Sequence, residues 1–314
     1  MSNAFEIFHP VGDPAKHEPE SAGRELAARQ LPHAHRNLEQ GASTYQVDDA
    51  LATAINMAIA VGAPLLLTGE PGTGKTQVAY HLAWFFGIGI YEFVVRSTST
   101  AEDLKYEFDA VAYLRSAQDP AQEKPRREEF LTPKALWKAY ENNQKEGADC
   151  IVLIDEIDKA PRDFPNDLLL ELNSHRFPHP FQTGVHIEAP KNRPPIVVIT
   201  SNAERRLPDA FLRRCIFHPI ELDEELVAKA VKARAKTDFP NLKTGVQEDA
   251  IECFWKIREK RLNKKPSTGE ILVWLSILSG KGVGKDQLRV ENLAGLPAIT
   301  ALIKDKHDLD ALKD

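Results

Sequence analysis

One stretch of eight residues constrains the fold more than any other part of this chain. It runs Gly69-Glu70-Pro71-Gly72-Thr73-Gly74-Lys75-Thr76. The spacing is G-x-x-x-x-G-K-T, in which glycines let the backbone curl until successive N–H groups point inward at an anion. The lysine can reach the outer phosphates of a nucleotide, and the hydroxyl that follows it can bind Mg²⁺. The stretch therefore predicts a phosphate-binding loop, and we add Gln77 to its binding residues.

The flanking sequence supports this interpretation. An apolar run at 63–68 precedes the loop and is typical of a buried parallel strand. Residues 77–86 follow it with apolar side chains at helical spacing, and Gly87 ends them. A strand, a glycine-rich loop and a helix N-terminus in this order form an anion site, so a chance glycine turn is a poor explanation.

A second motif pairs two acids with a strand. Residues 150–154 are apolar and Asp155-Glu156 follow directly. Ligands bind at the carboxyl edge of open parallel sheets, where these acids would lie. Asp155 then suits a role as Mg²⁺ ligand, and Glu156 suits the base that polarises an attacking water. In a chain without the phosphate loop, the same acids would be an ordinary solvated strand end.

A third strand and two arginines complete the candidate site. The aliphatic run 196–199 leads to Asn202, which would lie beside Glu156 and could orient a water. A short helix over 207–215 follows and carries Arg213 and Arg214. Twin arginines are usually surface residues. After a nucleotide site they also raise the alternative of an arginine that completes a neighbour's site.

Composition limits the class of protein. The 314 residues carry 40 Lys+Arg against 46 Asp+Glu, a net charge of −6, so a nucleic-acid-binding surface is disfavoured. Three cysteines lie far apart without a C-x-x-C pattern, which predicts reduced thiols in a cytoplasmic protein. We see no signal peptide and no apolar run of membrane-spanning length.

The chain divides into three predicted parts. Residues 1–43 form a polar, proline-containing extension, 44–221 alternate strands and helices, and 222–314 show only helical stripes, the fourth over Leu296–Leu312. Within the middle part, 97–133 looks irregular, and we expect 103–130 to be surface and not core. It is either a solvated loop or a working surface. Residues 166–172 are predicted to form a helix. Glu171, His175 and His179 follow its spacing as metal ligands would, but prolines at 178 and 180 interrupt the helix and disfavour a metal site.

These motifs, in this order, resemble the AAA+ ATPase superfamily and, within it, the MoxR family. The loop Gly69–Thr76 resembles Walker A, Ile151–Glu156 resembles Walker B, Asn202 resembles sensor 1, and 207–215 resembles the arginine-finger helix. The run Thr98–Leu104 and the hairpin Phe177–Ile187 are similar to the family's helix-2 insert and pre-sensor hairpin. The likeness covers the chain from about residue 45 to its end.

The resemblance implies a fold and an activity. The fold is an α/β core with a five-stranded parallel sheet, followed by a small four-helix lid. The implied activity is ATP hydrolysis with Mg²⁺ in a homo-oligomeric, usually hexameric, ring. Such rings remodel protein clients, often with a von Willebrand factor A domain protein as partner, and Arg214, or its rival Arg213, would be the finger. The family often carries an arginine, called sensor 2, near the position where this chain has Gly269. Without that arginine, how the lid senses the outer phosphate stays open.

Three other classes of function can be weighed against this one. A nucleotide-gated scaffold would use assembly as its output, and the glycine at 269 is its only sequence support. A DNA-acting ATPase is disfavoured by the negative charge and by the lack of an appended DNA-binding motif. A nucleotide kinase is less suitable again, because Asp155-Glu156 provides a base for water and no pocket for a phosphate acceptor.

Overall fold

The computed structural model describes residues 24, 27, 38–118, 124–145 and 149–313. Most of the predicted extension 1–43 lies outside these residues. Within the described residues the chain forms two compact units. The α/β unit comprises Val47–Glu70 and Lys75–Glu221, and the helical unit comprises Met1–Gln46, Pro71–Gly74 and Leu222–Asp314 so far as they are described.

In the part of the chain that the structure describes, the α/β unit contains nine strands in three sheets. The strands are β1 Leu65–Thr68, β2 Gly89–Val94, β3 Tyr106–Phe108, β4 Leu131–Pro133, β5 Cys150–Asp155, β6 Arg176–Pro178, β7 His186–Glu188, β8 Ile196–Ser201 and β9 Ile216–Pro219. Five of them form the main sheet in the order β2-β5-β8-β1-β9, and every neighbouring pair is parallel. The predicted five-stranded parallel sheet is confirmed.

Helices lie before, between and after these strands. Those up to residue 221 are α1 Leu38–Gly41, α2 Asp49–Val61, α3 Lys75–Phe86, α4 Ala110–Gln118, α5 Ala135–Lys145, α6 Phe164–Asp167, α7 Leu169–Ser174 and α8 Asp209–Leu212. Asp48 caps α2 by accepting a hydrogen bond from the Leu51 amide at 2.6 Å. Gly62 ends that helix with φ at 65°, a conformation that suits glycine.

The central strands explain why the sheet is buried. The side chains of β5 from Cys150 to Ile154 are all buried, as a strand covered on both faces requires. The register aligns Thr68 with Ser201, and Ile154 with Ile199. The carboxyl ends of β1, β5 and β8 therefore meet at one edge of the sheet, where all three change from aliphatic to polar residues.

The segment 97–133 is more ordered than its composition suggested. It contains β3, α4 and β4, and β3 pairs with β4 in an antiparallel ladder that aligns Phe108 with Leu131. The expectation that 103–130 is surface is wrong at its start, because Leu104 is fully buried in the main core. Because Leu104 stands between the polar residues Asp103 and Lys105, the sequence pattern does not indicate that it is buried. Residues 119–123, in the middle of the segment, lie outside the described part of the chain.

The helical unit packs around its own core. It contains α9 Glu224–Asp238, α10 Thr244–Glu259, α11 Thr268–Lys281 and α12 Lys306–Ala311. Ser267 and Glu270 form a capping box at the start of α11. Trp274 and Phe254 are fully buried at the centre of the core. No helix among the described residues is both long and apolar enough to cross a membrane.

The predicted helices differ from the observed ones at two places. Leu296–Leu312 is not one helix: it holds a 3-10 turn at Ile299–Ala301 and then the short α12. Ala298, with φ at 53°, interrupts the helical backbone there, and Asp305 caps a new start. The predicted helix over 166–172 is instead divided between α6 and α7, with Leu168 between them.

Candidate active site

The loop between β1 and α3 has the backbone that its glycines predict. Gly72 and Gly74 have φ values of 77° and 92°, in the left-handed region that side chains with a Cβ rarely adopt. Lys75 is the first residue of α3, so the loop ends at a helix N-terminus. Thr73 and Gln77 are buried, whereas Glu70 and Pro71 are exposed. Successive N–H groups and a helix dipole together form an anion site.

Lys75 is a cation held in a buried place. Its side chain is 6% exposed, and its Nζ donates to the carbonyl oxygens of Gly69 at 2.9 Å and Glu70 at 2.8 Å. Burial lowers the pKa of Lys75, and the charges of Asp158 and Asp155 oppose that shift. A desolvated ammonium bound to neutral carbonyls would be better satisfied by an anion, so this site fits a phosphate.

Thr76 and Asp155 lie together at the sheet edge. The Thr76 hydroxyl donates to Asp155 Oδ1 at 2.9 Å, across the space between α3 and β5. Thr200, on β8, donates to the same carboxylate oxygen at 2.5 Å. A hydroxyl at the end of the phosphate loop and a carboxylate beside it are the protein ligands that Mg²⁺ takes next to a nucleotide. These residues therefore fit a magnesium ion, which would supply positive charge to the phosphates.

Glu156 follows in a constrained conformation. Its φ and ψ are 61° and 48°, a left-handed backbone that is rare for a residue with a side chain. The Glu156 amide donates to Thr200 Oγ1 at 2.9 Å, and its Oε2 accepts from Lys159 Nζ at 2.6 Å. Strain of this kind tends to be kept where a side chain must be aimed.

Asn202 lies just beyond the end of β8. Its backbone N–H donates to Asp158 Oδ1 at 3.1 Å, and its side chain is half-buried. Because β8 is the neighbour of β5 in the sheet, Asn202 follows the strand next to the one that ends at Asp155. The structure thus brings the phosphate loop, Asp155, Glu156 and Asn202 to one edge.

The two candidate finger arginines lie apart from this cluster. Arg213 and Arg214 follow α8 and are both exposed. Arg214 Nη1 donates to the carbonyl of Ala210 at 2.9 Å, within its own helical turn. Neither side chain makes a hydrogen bond that we observe to the phosphate loop, the paired acids or Asn202.

Glu171 and His175, which have metal-like spacing in the sequence, lie outside the cluster at the sheet edge. Glu171 pairs with Lys105 at 3.0 Å, and burial lowers the pKa of His175. Within the described residues, no group of three His, Cys, Asp or Glu side chains could hold a metal ion. In the helical unit, the Gly269 amide donates to the Gly72 carbonyl at 3.3 Å.

Sequence reasoning missed three residues of this site. Thr200 bridges the two strands that carry Asp155 and Asn202, Asp158 binds the loop after β8, and Lys159 pairs with Glu156. Thr200 follows Ile199, which pairs with Ile154, so its place beside Asp155 is known only once the two strands are paired. The other two follow the acids in a short 3-10 turn, Ile157–Lys159, and no spacing rule marks them.

Comparison with known protein families gives a match over the segment that contains this site. Residues 64–215, slightly under half of the chain, match the family model described as an AAA domain of the dynein-related subfamily. No curated protein matches the chain. Among solved structures, one of a proposed ATPase from Cytophaga hutchinsonii aligns with a TM-score of 0.40 and 11% identity, over 88% of this chain and 83% of that one. That likeness is too distant to carry an argument.

The family match and the sheet order lead to one conclusion. The matched segment begins just before β1 and ends after α8, so it contains the phosphate loop, the paired acids, Asn202 and the two arginines. Its sheet is parallel, with the phosphate loop after a central strand. The chain therefore has an α/β P-loop NTPase core that matches the AAA domain model over 64–215, followed by a helical region.

Proposed function

We propose that this protein is an ATP-binding and ATP-hydrolysing ring ATPase of the MoxR type, which remodels a protein client. The observation that carries the proposal is the convergence of a buried cation, Lys75, with Thr76 and the acids Asp155 and Glu156 at one sheet edge. The AAA domain over 64–215 supports nucleotide chemistry at this edge. The division into an extension 1–43, a core 44–221 and a lid 222–314 belongs to the same proposal.

Each residue has a role that its position suits. The amides of 69–76 and Lys75 hold the ATP phosphates, and Thr76 with Asp155 holds Mg²⁺, which neutralises phosphate charge when it is bound. Glu156 accepts a proton from the attacking water, and the side-chain amide of Asn202 orients that water. Lys159 binds Oε2 of Glu156. The other carboxylate oxygen, Oε1, can still accept a hydrogen bond or a proton.

The ring supplies the remaining cation. An arginine on the surface can reach a neighbouring subunit, and the exposed Arg214 is the first candidate, with Arg213 as its rival. In this arrangement the charge on the transferred phosphoryl group is stabilised from outside the subunit that binds it. A hexameric ring with a von Willebrand factor A domain partner is the assembly that we propose.

Two alternatives give different outputs. A nucleotide-gated scaffold would bind ATP and assemble, with turnover incidental. The lack of an arginine at position 269 is the feature that favours it. A DNA-acting ATPase would need a surface that attracts phosphates, whereas the chain carries a net charge of −6.

The test is phosphate release from ATP by the purified chain, with and without Mg²⁺ and with and without a candidate partner. A remodelling ATPase releases phosphate only with Mg²⁺ and responds to the partner. ATP-dependent assembly with negligible release would instead indicate the scaffold. Tight DNA binding that weakens steeply between two salt concentrations would indicate the DNA-acting class.

A further inference from the structure

One buried acid near the site has no role in the motifs. Asp158 lies inside the 3-10 turn Ile157–Lys159, and its side chain is 2% exposed. Its Oδ1 accepts from the Asn202 amide at 3.1 Å and its Oδ2 accepts from the Glu204 amide at 3.2 Å. A buried carboxylate is costly unless it is hydrogen-bonded, and here both oxygens bind one short loop.

The loop that Asp158 binds has an unusual backbone. Ala203, between the two donating amides, has φ at 58°, and its own amide donates to Ser201 Oγ at 3.0 Å. A left-handed residue between two others makes their N–H groups converge, and such a concavity binds an anion. The conformation is unfavourable for alanine, so it needs a partner that holds it. Asp158 is that partner.

The 3-10 turn that contains Asp158 also fixes Glu156, the residue before it. Glu156 precedes the turn, and the Lys159 amide donates to the Glu156 carbonyl at 3.0 Å. Thr200 accepts from the Glu156 amide, so β8 holds the start of the turn while Asp158 holds the chain that leaves β8. Two bonds in opposite directions thus fix Glu156 relative to Asn202.

We propose that Asp158 is a positioning residue, which sets the place of Asn202 against Glu156 by binding the Asn202–Glu204 backbone. The inference rests on the proposed function, because it assigns Asn202 to the hydrolytic step. Asp158 itself touches neither nucleotide nor water in this role. It differs from a residue that only stabilises the fold, because its loss should lower turnover through Asn202, apart from any effect that its charge has on Lys75.

The principal variant is Asp158→Asn, with Asp163→Asn as its matched control. The amide side chain keeps the shape but presents a donor to one of the two N–H groups, which disrupts the loop. We expect kcat to fall about tenfold or more while ATP affinity, measured by calorimetry, does not weaken, because the lost charge is negative and acts on Lys75. Asp163 is exposed and makes no capping bond, so the same change of charge there should leave both quantities unchanged.

A double-mutant cycle tests whether the effect passes through Asn202. Asn202→Ala should lower kcat, and adding Asp158→Asn should slow that variant by no more than about twofold. Losses that multiply would overturn the inference. If Asn202→Ala itself keeps wild-type kcat, the proposed role of Asn202 has failed, and hydrogen exchange then decides the structural claim. The amides of 202 and 204 should exchange faster in Asp158→Asn than in Asp163→Asn, and equal rates would refute it.

A second pair of variants does not change the buried acid and so avoids a folding failure. Ala203 is exposed. Ala203→Gly suits the left-handed backbone and should keep kcat, whereas Ala203→Val opposes it and should lower kcat several-fold at unchanged ATP affinity. Equal kcat in these two variants would show that the shape of the loop does not govern turnover, and would contradict the proposal.

Discussion

The sheet edge and the segment between β2 and α5 are organised by opposite means. At the edge, short stretches carry the polar groups, and hydrogen bonds such as Thr76 to Asp155 at 2.9 Å join them. In the other region, three aromatic rings and a fourth from the loop between β6 and β7 form one cluster, which we call the aromatic patch. Its members are Phe108, Tyr113, Phe130 and Phe181.

The patch holds the described part of the segment 97–133, which we call the insert, against the β6–β7 hairpin. Phe108 and Phe181 meet edge to face with ring centroids 4.9 Å apart, and the Arg127 guanidinium lies 5.7 Å from the Phe181 ring. Such contacts contribute to stability and hold no polar group in a reactive geometry. The comparison teaches that changes at the edge should affect activity without changing stability, whereas changes in the patch should do the reverse.

The largest effect that we expect is at Lys75. Lys75→Ala should abolish measurable ATP binding, because the loop loses its only side-chain ammonium against several phosphate charges. Calorimetry measures the binding. Unchanged affinity would remove the phosphate-loop assignment and with it the contrast between edge and patch.

Arg214→Ala should lower ATPase activity by roughly 10³-fold or more if Arg214 acts on a neighbour's phosphates. The measurement is subunit mixing with Glu156→Gln, since a mixed ring contains interfaces where an intact Glu156 meets an intact Arg214. Partial recovery of activity supports the trans role. No recovery, from an Arg214→Ala protein that still assembles, would move the role to Arg213.

Glu156→Gln should bind ATP normally and hydrolyse it about 10²-fold or more slowly, because an amide cannot accept the water's proton. Single-turnover phosphate release separates binding from chemistry. Glu188→Gln, at an exposed position on β7, is the matched control and should retain the wild-type rate. Wild-type turnover in Glu156→Gln would place the base elsewhere.

Phe181→Ala tests the other side of the comparison. The ring is half-buried, so its loss should cost about 1 kcal/mol and lower the melting temperature by a few degrees. Basal ATPase activity should remain, because the patch holds no group of the site. A large loss of activity at unchanged stability would show that the insert takes part in hydrolysis.

The smallest effect concerns the cysteines. Burial is the main cause that raises the pKa of Cys150 and Cys215 to about 12 and of Cys253 to about 11. A raised pKa keeps each thiol protonated until the pH approaches that value. At pH 8 all three should therefore react slowly with iodoacetamide in the folded protein and quickly after unfolding. Rapid labelling of the folded protein would mean that these cores open readily.

Much of the α/β unit could be predicted because its strands are contiguous aliphatic runs. The run before Asp155 and the run before Asn202 were both recognised, and both are parallel strands of the main sheet. The ordered insert could not be predicted in the same way. Its ladder pairs Tyr106 with Pro133, 27 positions later, and period and propensity do not reveal such a partner.

The end of the chain shows another limit. The apolar spacing after Leu296 suggested a helix, but 3-10 turns and the short α12 bury the same leucines in the helical core. A periodic pattern reports which side chains are buried. It does not report whether one helix or several turns bury them.

The sequence by itself determined the phosphate loop, the acids at 155 and 156, and the class of fold, because each depends on neighbouring residues whose geometry is local. Only the tertiary structure decided that Thr200 joins Asp155 and that Asp158 holds the Asn202 loop. Those bonds span 45 and 44 positions along the chain. Their existence depends on strand order and register, which bring distant polar groups together only after the apolar strands have paired.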